Sequence, residues 1–285
     1  MFFKKNAEVT QQLRDNLFIC EKGHSIMESS QTFNIQFVSQ KMAQDERGQS
    51  FWKRMEETTA VPIEKCAFLI CDMWDQHWCS GATYRVGQLA PKINTFINLM
   101  RSRGAQIIHA PSDTLTFYTN SLARHRLMIA DMKKFKEKVK WLKNLRAPGY
   151  PLPIDDSDGG SDTKTIDKYK PNTRVWSRQI ESIIIDEEKD GISDSGAEIY
   201  HFLKEKGIEY YFIMGVHTNM CVINRTFGIR MMRQTGLKVA LVRDLTDAMY
   251  NPAKPPYVSH EKGTELVCDF IEKYYCPSVK STDFA

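Results

Sequence analysis

The chain has 285 residues, of which 42% are hydrophobic and 11% aromatic, enough apolar mass for one large α/β domain or a domain with an appendage. Its 39 basic and 35 acidic residues leave a net charge of +4, a balance that does not point to nucleic acid. No stretch approaches the roughly 20 apolar residues of a membrane helix. The start, Met1-Phe2-Phe3-Lys4-Lys5-Asn6, lacks the apolar run of a secretory signal, so a cytoplasmic protein with no membrane partner is expected.

Residues 1–60 are polar and weakly periodic, and read as an N-terminal extension packing on the main domain or on a neighbouring subunit; within it, 31–38 alternates as one strand. The main domain is expected over 61–285. Ala67-Phe68-Leu69-Ile70-Cys71 is a continuous apolar run, as in a strand buried on both faces. A helix follows, with Leu89, Ile93, Phe96, Ile97 and Met100 at helical spacing and Gly104 closing it. Gln106-Ile107-Ile108-His109 is the next strand, and 123–145 reads as a basic amphipathic helix. Its run Lys133-Lys134-Phe135-Lys136-Glu137-Lys138-Val139-Lys140 is the solvated face opposite Met132, Phe135, Val139 and Leu142.

Segment 146–173 is a loop rich in Pro, Gly and Asp. Asp155, Asp156, Asp158 and Asp162 lie around Gly159-Gly160 like a calcium loop, but the terminal Glu is missing, and a polar turn is the better reading. Further strands are expected at 182–185, 210–215 and 238–242, with helices at 196–206, about 220–236 and about 259–275. Alternating strands and helices imply a mainly parallel sheet with helices on both faces, a three-layer α/β sandwich. The chemistry of such folds sits at the carboxyl ends of the strands.

Two such ends stand out. The first runs into Asp72-Met73-Trp74-Asp75-Gln76-His77-Trp78-Cys79, and the second into Gly215-Val216-His217-Thr218-Asn219-Met220-Cys221-Val222. Asp72 alone could be a turn cap, but the indoles and imidazole beside it favour a site. With Thr218 or Asn219 as helix cap, Cys221 falls in a first turn, where the helix end lowers a thiol's pKa and frees N–H groups for an oxyanion. The competing reading is a small buried cysteine. Cys221 belongs to a set of seven cysteines with no CxxC spacing, which argues against a disulfide framework or a zinc ribbon.

Asp after one strand and Gly-Val-x-Thr-x-x-Cys-Val after a later one resemble the isochorismatase-like cysteine hydrolases, which include nicotinamidases and N-carbamoyl amidases. The resemblance spans roughly residues 63–275. It implies a triad of Asp72 as base, Cys221 as nucleophile and a lysine, for which Lys189 fits by spacing; an exposed loop lysine is the alternative. It also implies a non-proline cis peptide at Val216–His217 and an oxyanion hole made by the N–H groups of His217 and Cys221. The family's metal pattern is not matched: His77 and His109 could meet Asp75 or Asp113 around a metal, but read instead as hydrogen-bonded pocket residues, so no metal and no cofactor is expected.

The substrate would be a small molecule, contacted by Trp74, His77, Trp78, His109, Tyr118, His217 and Asn219. The reading is therefore a hydrolase acting through a covalent cysteine intermediate on a small amide or related C–N bond, working as a homo-oligomer with no nucleic-acid partner. The alternative is an inert relative serving as a ligand-binding or interaction module. Vinyl-ether hydrolysis of the isochorismate type, which does not use a cysteine, is disfavoured by Cys221.

Overall fold

The computed structural model describes residues 31–128 and 149–285. Cys20, the first half of the expected extension and the basic run 133–140 lie outside the described residues. The strands are β1 (Thr32–Gln44), β2 (Ser50–Pro62), β3 (Cys66–Cys71), β4 (Gln106–Ala110), β5 (Gly191–Ile192), β6 (Tyr210–Val216), β7 (Lys238–Asp247) and β8 (Ser278–Val279). The helices are α1 (Ser80–Ser102), α2 (Leu122–Met128), α3 (Gly196–Glu205), α4 (Cys221–Asn224), α5 (Ile229–Met232) and α6 (His260–Tyr274).

β3 shows why the fold has three layers. Every one of its side chains is buried, and they serve two cores in alternation. Cys66, Phe68 and Ile70 pack with Val86, Ile93, Phe96 and Ile97 of α1. Ala67, Leu69 and Cys71 face the other way, towards Ile199 and Phe202 of α3 and Val267, Phe270 and Ile271 of α6. A strand covered on both sides has no wet face, so its sequence is a continuous apolar run. Each large side chain so buried contributes on the order of 1.5–3 kcal/mol.

The sheet has eight strands in the order β2-β1-β8-β7-β6-β3-β4-β5. Strands β3 to β8 pair in parallel; β1 is antiparallel to both β2 and β8. From β3 the chain moves outward to β4 and β5, then returns to lay β6 on the other flank of β3. The order reverses between β3 and β6, and this is where an open α/β sheet forms its crevice. Gly215, at φ +100°, lets β6 close on β3 here, because a side chain at that position would collide with the Cys71 backbone.

Three elements depart from the sequence expectations. The strand expected at 182–185 is a run of turns, and the strand that pairs with β4 is the two-residue β5. Two residues cannot display a period, whereas Ile183-Ile184-Ile185 reads as β on composition alone. The helix expected over 220–236 is broken: α4 ends at Asn224, α5 starts at Ile229, and a short 3-10 turn completes the segment. Between them the buried Phe227 carbonyl takes the Tyr211 hydroxyl at 2.7 Å. The strand at 31–38 is longer than expected and returns as β2, so residues 32–60, expected as part of an extension, belong to a ribbon continuous with the sheet.

Candidate active site

The β3 strand ends in Asp72, which adopts a left-handed conformation (φ +46°) of a kind Asp tolerates better than most residues. Its N–H still donates to the Ala110 carbonyl at the carboxyl end of β4, at 3.1 Å. The turn aims the carboxylate across the crevice. One oxygen accepts the Ser112 N–H at 2.8 Å, and the other meets Arg225 Nε at 3.3 Å. Asp72 is wholly buried. Burial raises its pKa, and Arg225 and the hydrogen bonds from Cys221 and Ser112 oppose that rise without cancelling it.

β6 ends in a cis peptide between Val216 and His217, as the family resemblance implied. The chain then turns, with the Met220 N–H on the His217 carbonyl at 3.0 Å, and α4 opens with Cys221. The Cys221 thiol neighbours the Asp72 carboxyl and the backbone N–H of His217, and both act on its pKa. It is half-buried and opens on a cavity of about 350 Å³, which Leu152, Asp156, Asn219, Met220, Asn224 and Arg225 also line.

Sequence reasoning expected the helix start to depress the Cys221 pKa, and the structure reverses the sign. Burial and then the Asp72 carboxylate push the thiol well above its usual range, with Arg225 offsetting part of the rise. The reason is local. A four-residue helix offers little dipole, neither Thr218 nor Asn219 caps it, and a buried anion touches the sulfur. Thr218 instead bonds Thr246 Oγ1 at 2.7 Å, and Asn219 is held by the Met249 backbone at 2.8 and 3.1 Å and by Asp156 at 2.9 Å. The resting state is thus a thiol, a carboxylate and a guanidinium in mutual contact.

That guanidinium is the residue the sequence reading missed. Arg225 Nε lies 3.3 Å from Asp72, its Nη2 reaches the Asp113 carboxylate at 3.3 Å, and its charge acts on the Cys221 thiol. The neighbouring anions raise its pKa further. A signal was present: Arg225 follows Cys221 by four residues in a segment expected to be helical, so both lie on one face.

Lys189, expected beside Cys221, is elsewhere. It is exposed, its N–H donates to Asp186, and its carbonyl accepts the side chain of Gln106 at 3.0 Å. Gln106 opens β4 and Ala110, bonded to Asp72, closes it, so Lys189 and Asp72 lie at opposite ends of a strand roughly 13 Å long. The lysine precedes β5 and so lies away from the carboxyl ends of the strands, where Asp72 sits.

The expected binding residues also separate. Asn219 alone among them lines the cavity beside Cys221. Trp74, His77 and Trp78 form a packed aromatic group with Trp176. Trp74 stacks on Trp176 at 4.2 Å and anchors its indole N–H on the Ser112 carbonyl at 3.1 Å. His77 lies 5.0 Å edge-on from His217, and burial lowers the two pKa values to about 3 and about 4, so both rings stay neutral. The Trp74 backbone N–H also donates to the Asp72 carbonyl at 2.8 Å, which ties this aromatic group to the Asp72 turn. Tyr118 takes the Gln179 N–H on its hydroxyl at 2.9 Å, and His109 bridges Gln179 and Asp190 at 3.0 Å each, wholly buried. Both are corrected from substrate contacts to internal struts.

The Asp-rich loop spends its carboxylates on its own turns and on anchors. Asp158 accepts from Gly160 N–H, Asn251 and Lys164, and Asp162 holds Arg85 at 2.7 Å. Among the described residues, no group of three or more His, Cys, Asp or Glu side chains is placed to hold a metal ion. Nor is any described helix long and apolar enough to cross a membrane.

No protein-family model and no curated protein matches the chain. It is similar to solved structures of the cysteine hydrolase and isochorismatase kind. A cysteine hydrolase from Pseudomonas syringae pv. phaseolicola 1448A shares 14% identity at a TM-score of 0.45, covering 78% of this chain and 92% of that one. An isochorismatase family protein from Burkholderia thailandensis shares 13% at 0.41, over 77% and 93%. An isochorismatase from Pseudomonas putida KT2440 shares 12% at 0.43, over 77% and 90%. The chemistry of the site rests on its own geometry.

Proposed function

We propose that the chain is a cysteine hydrolase of small, non-anionic amides or related C–N compounds, with Cys221 as nucleophile, Asp72 as proton acceptor and Arg225 as the cation of the site. The observation that carries this reading is the contact of thiol, buried carboxylate and guanidinium at the sheet's crevice, opening on a cavity. The thiol proton passes to Asp72 as sulfur attacks the carbonyl carbon. The raised pKa of Asp72 suits it to take that proton. The developing oxyanion is held by the N–H groups of His217 and Cys221. Collapse of the adduct breaks the C–N bond, Asp72 returns its proton to the leaving nitrogen, and a thioester remains on Cys221. Water, deprotonated by Asp72, then releases the acid and restores the thiol.

Arg225 keeps the pair Asp72–Cys221 near neutrality whichever partner holds the negative charge. The mouth disfavours an anionic substrate, because Asp156 lines the cavity and the Arg225 guanidinium on its wall is already paired with Asp72 and Asp113. The test is incubation with a panel of small primary amides and ureas, followed by intact-protein mass measurement after acid quench. An acyl adduct mapped to Cys221, with release of ammonia or amine, supports the reading. Binding without adduct or release across the panel supports the ligand-binding module instead.

A further inference from the structure

β2 (Ser50–Pro62) is the outermost strand of the sheet, and among the described residues no element pairs with its free edge. It is thirteen residues long and exposed over most of its length, with Phe51 and Met55 among the exposed apolar side chains. A long free edge carries a row of unpaired N–H and C=O groups and invites another strand unless something blunts it. Charges are a common blunting device. Here, however, the charges come in both signs and in a mirrored order, Lys53-Arg54-Met55-Glu56-Glu57.

We propose that β2 pairs antiparallel with β2 of a second copy of this chain, about a two-fold axis through Met55. In that register the paired positions sum to 110. Lys53 lies opposite Glu57 of the partner subunit, and Arg54 opposite Glu56 of the partner subunit, with the two symmetric pairs completing the set. Trp52 meets a threonine, as does Phe51, so no like charges are opposed on either face of the ribbon. A blunting role would need only repulsion. Self-complementary order gives attraction between identical strands, the property of an isologous two-fold contact. Arg54 and Glu56 already neighbour one another within the chain at 2.8 Å, so the paired strands would set four charges in a checkerboard on that face.

The experiment is the mass of the full-length protein by light scattering and sedimentation, for the native chain and two variants. One variant, Lys53→Glu with Arg54→Glu, makes the strand uniformly acidic; the other, Glu56→Lys with Glu57→Lys, makes it uniformly basic. The native chain is expected to be dimeric and to weaken with added salt. Each variant alone should weaken its dimer by about 100-fold or more, since like charges then face each other. An equimolar mixture of the two should recover a dimer containing one of each. A Met55→Cys chain should form a disulfide-linked dimer on mild oxidation that the native chain does not, which keeps the test open if a charge variant fails to fold. A native chain that is monomeric at all concentrations, as when its own residues 1–30 cover the edge, would overturn the proposal. So would a dimer whose strength is indifferent to both variants, or a mixture that stays monomeric.

Discussion

Two buried ionic clusters flank β4, and their chemistry diverges. In one, Asp190 receives Arg101 on both oxygens at 2.6 and 2.8 Å, His109 at 3.0 Å and the Asp186 N–H at 2.8 Å. Burial alone would raise the Asp190 pKa, but these donors outweigh it and hold the carboxyl below its usual range. In the other, Asp72 has the Ser112 N–H, the Cys221 thiol and a longer contact to Arg225, and its pKa goes up. Both carboxylates are fully buried. The difference lies in how completely each is satisfied. A saturated carboxylate is a fixed counter-ion, whereas an under-satisfied one beside a thiol and a cavity is a base waiting for a proton.

Substitutions at the two clusters should therefore fail in different ways. Cys221→Ala should abolish turnover, by at least about a thousandfold, because no other group replaces an attacking sulfur. Its thermal midpoint should stay close to that of the native chain; measured hydrolysis in this variant would remove the mechanism. Asp190→Ala should do the opposite. Leaving the Arg101 charge in the interior without its carboxylate, and His109 without one of its two partners, should cost about 3–5 kcal/mol in denaturant unfolding, with Cys221 chemistry intact in the protein that remains folded. If Asp190→Ala is neutral in stability, the sealed cluster is not the strut described here.

A smaller effect is expected at Arg225. Arg225→Met should slow turnover by about 10–100-fold, the loss of one charge interaction worth roughly 1.4–2.7 kcal/mol, and Arg225→Lys should restore part of it. Lys189→Met should change nothing; the reverse pattern in a kcat comparison would return the triad to its lysine. The smallest effect is a shift in reactivity. Native Cys221 should react slowly with iodoacetamide at pH 6–7 and still be quickening, with no plateau, as pH passes the usual thiol range, since its thiol is held protonated. Asp72→Asn removes the anion and leaves Arg225, so the thiol pKa should fall. Alkylation at pH 7 should quicken about tenfold while turnover drops. Unchanged alkylation in Asp72→Asn would mean that the carboxylate does not face the sulfur.

The sequence by itself placed Asp72 and Cys221 well. Each follows an apolar run whose burial on two faces is a local signal, and the parallel-sheet rule brings the ends of such strands together. The same signal failed for β2, whose residues face water on both sides and show no apolar period, and for β5, which is too short to have one. It failed again for the aromatics after β3. Indoles beside an acid suggest a pocket lining, yet Trp74 and Trp78 are spent on packing against Trp176, Gly159 and the Asp72 turn. Which cation neighbours Asp72 was decided by the tertiary structure, the four-residue spacing of Cys221 and Arg225 being no more than a hint. Lys189 had the right sequence spacing at the wrong end of a strand, while Arg225, just past the end of α4, meets Asp72, 153 residues away in the chain. Local pattern reports how a segment is buried, but a charge acts on a sulfur only within a few ångströms, and that distance belongs to the folded chain.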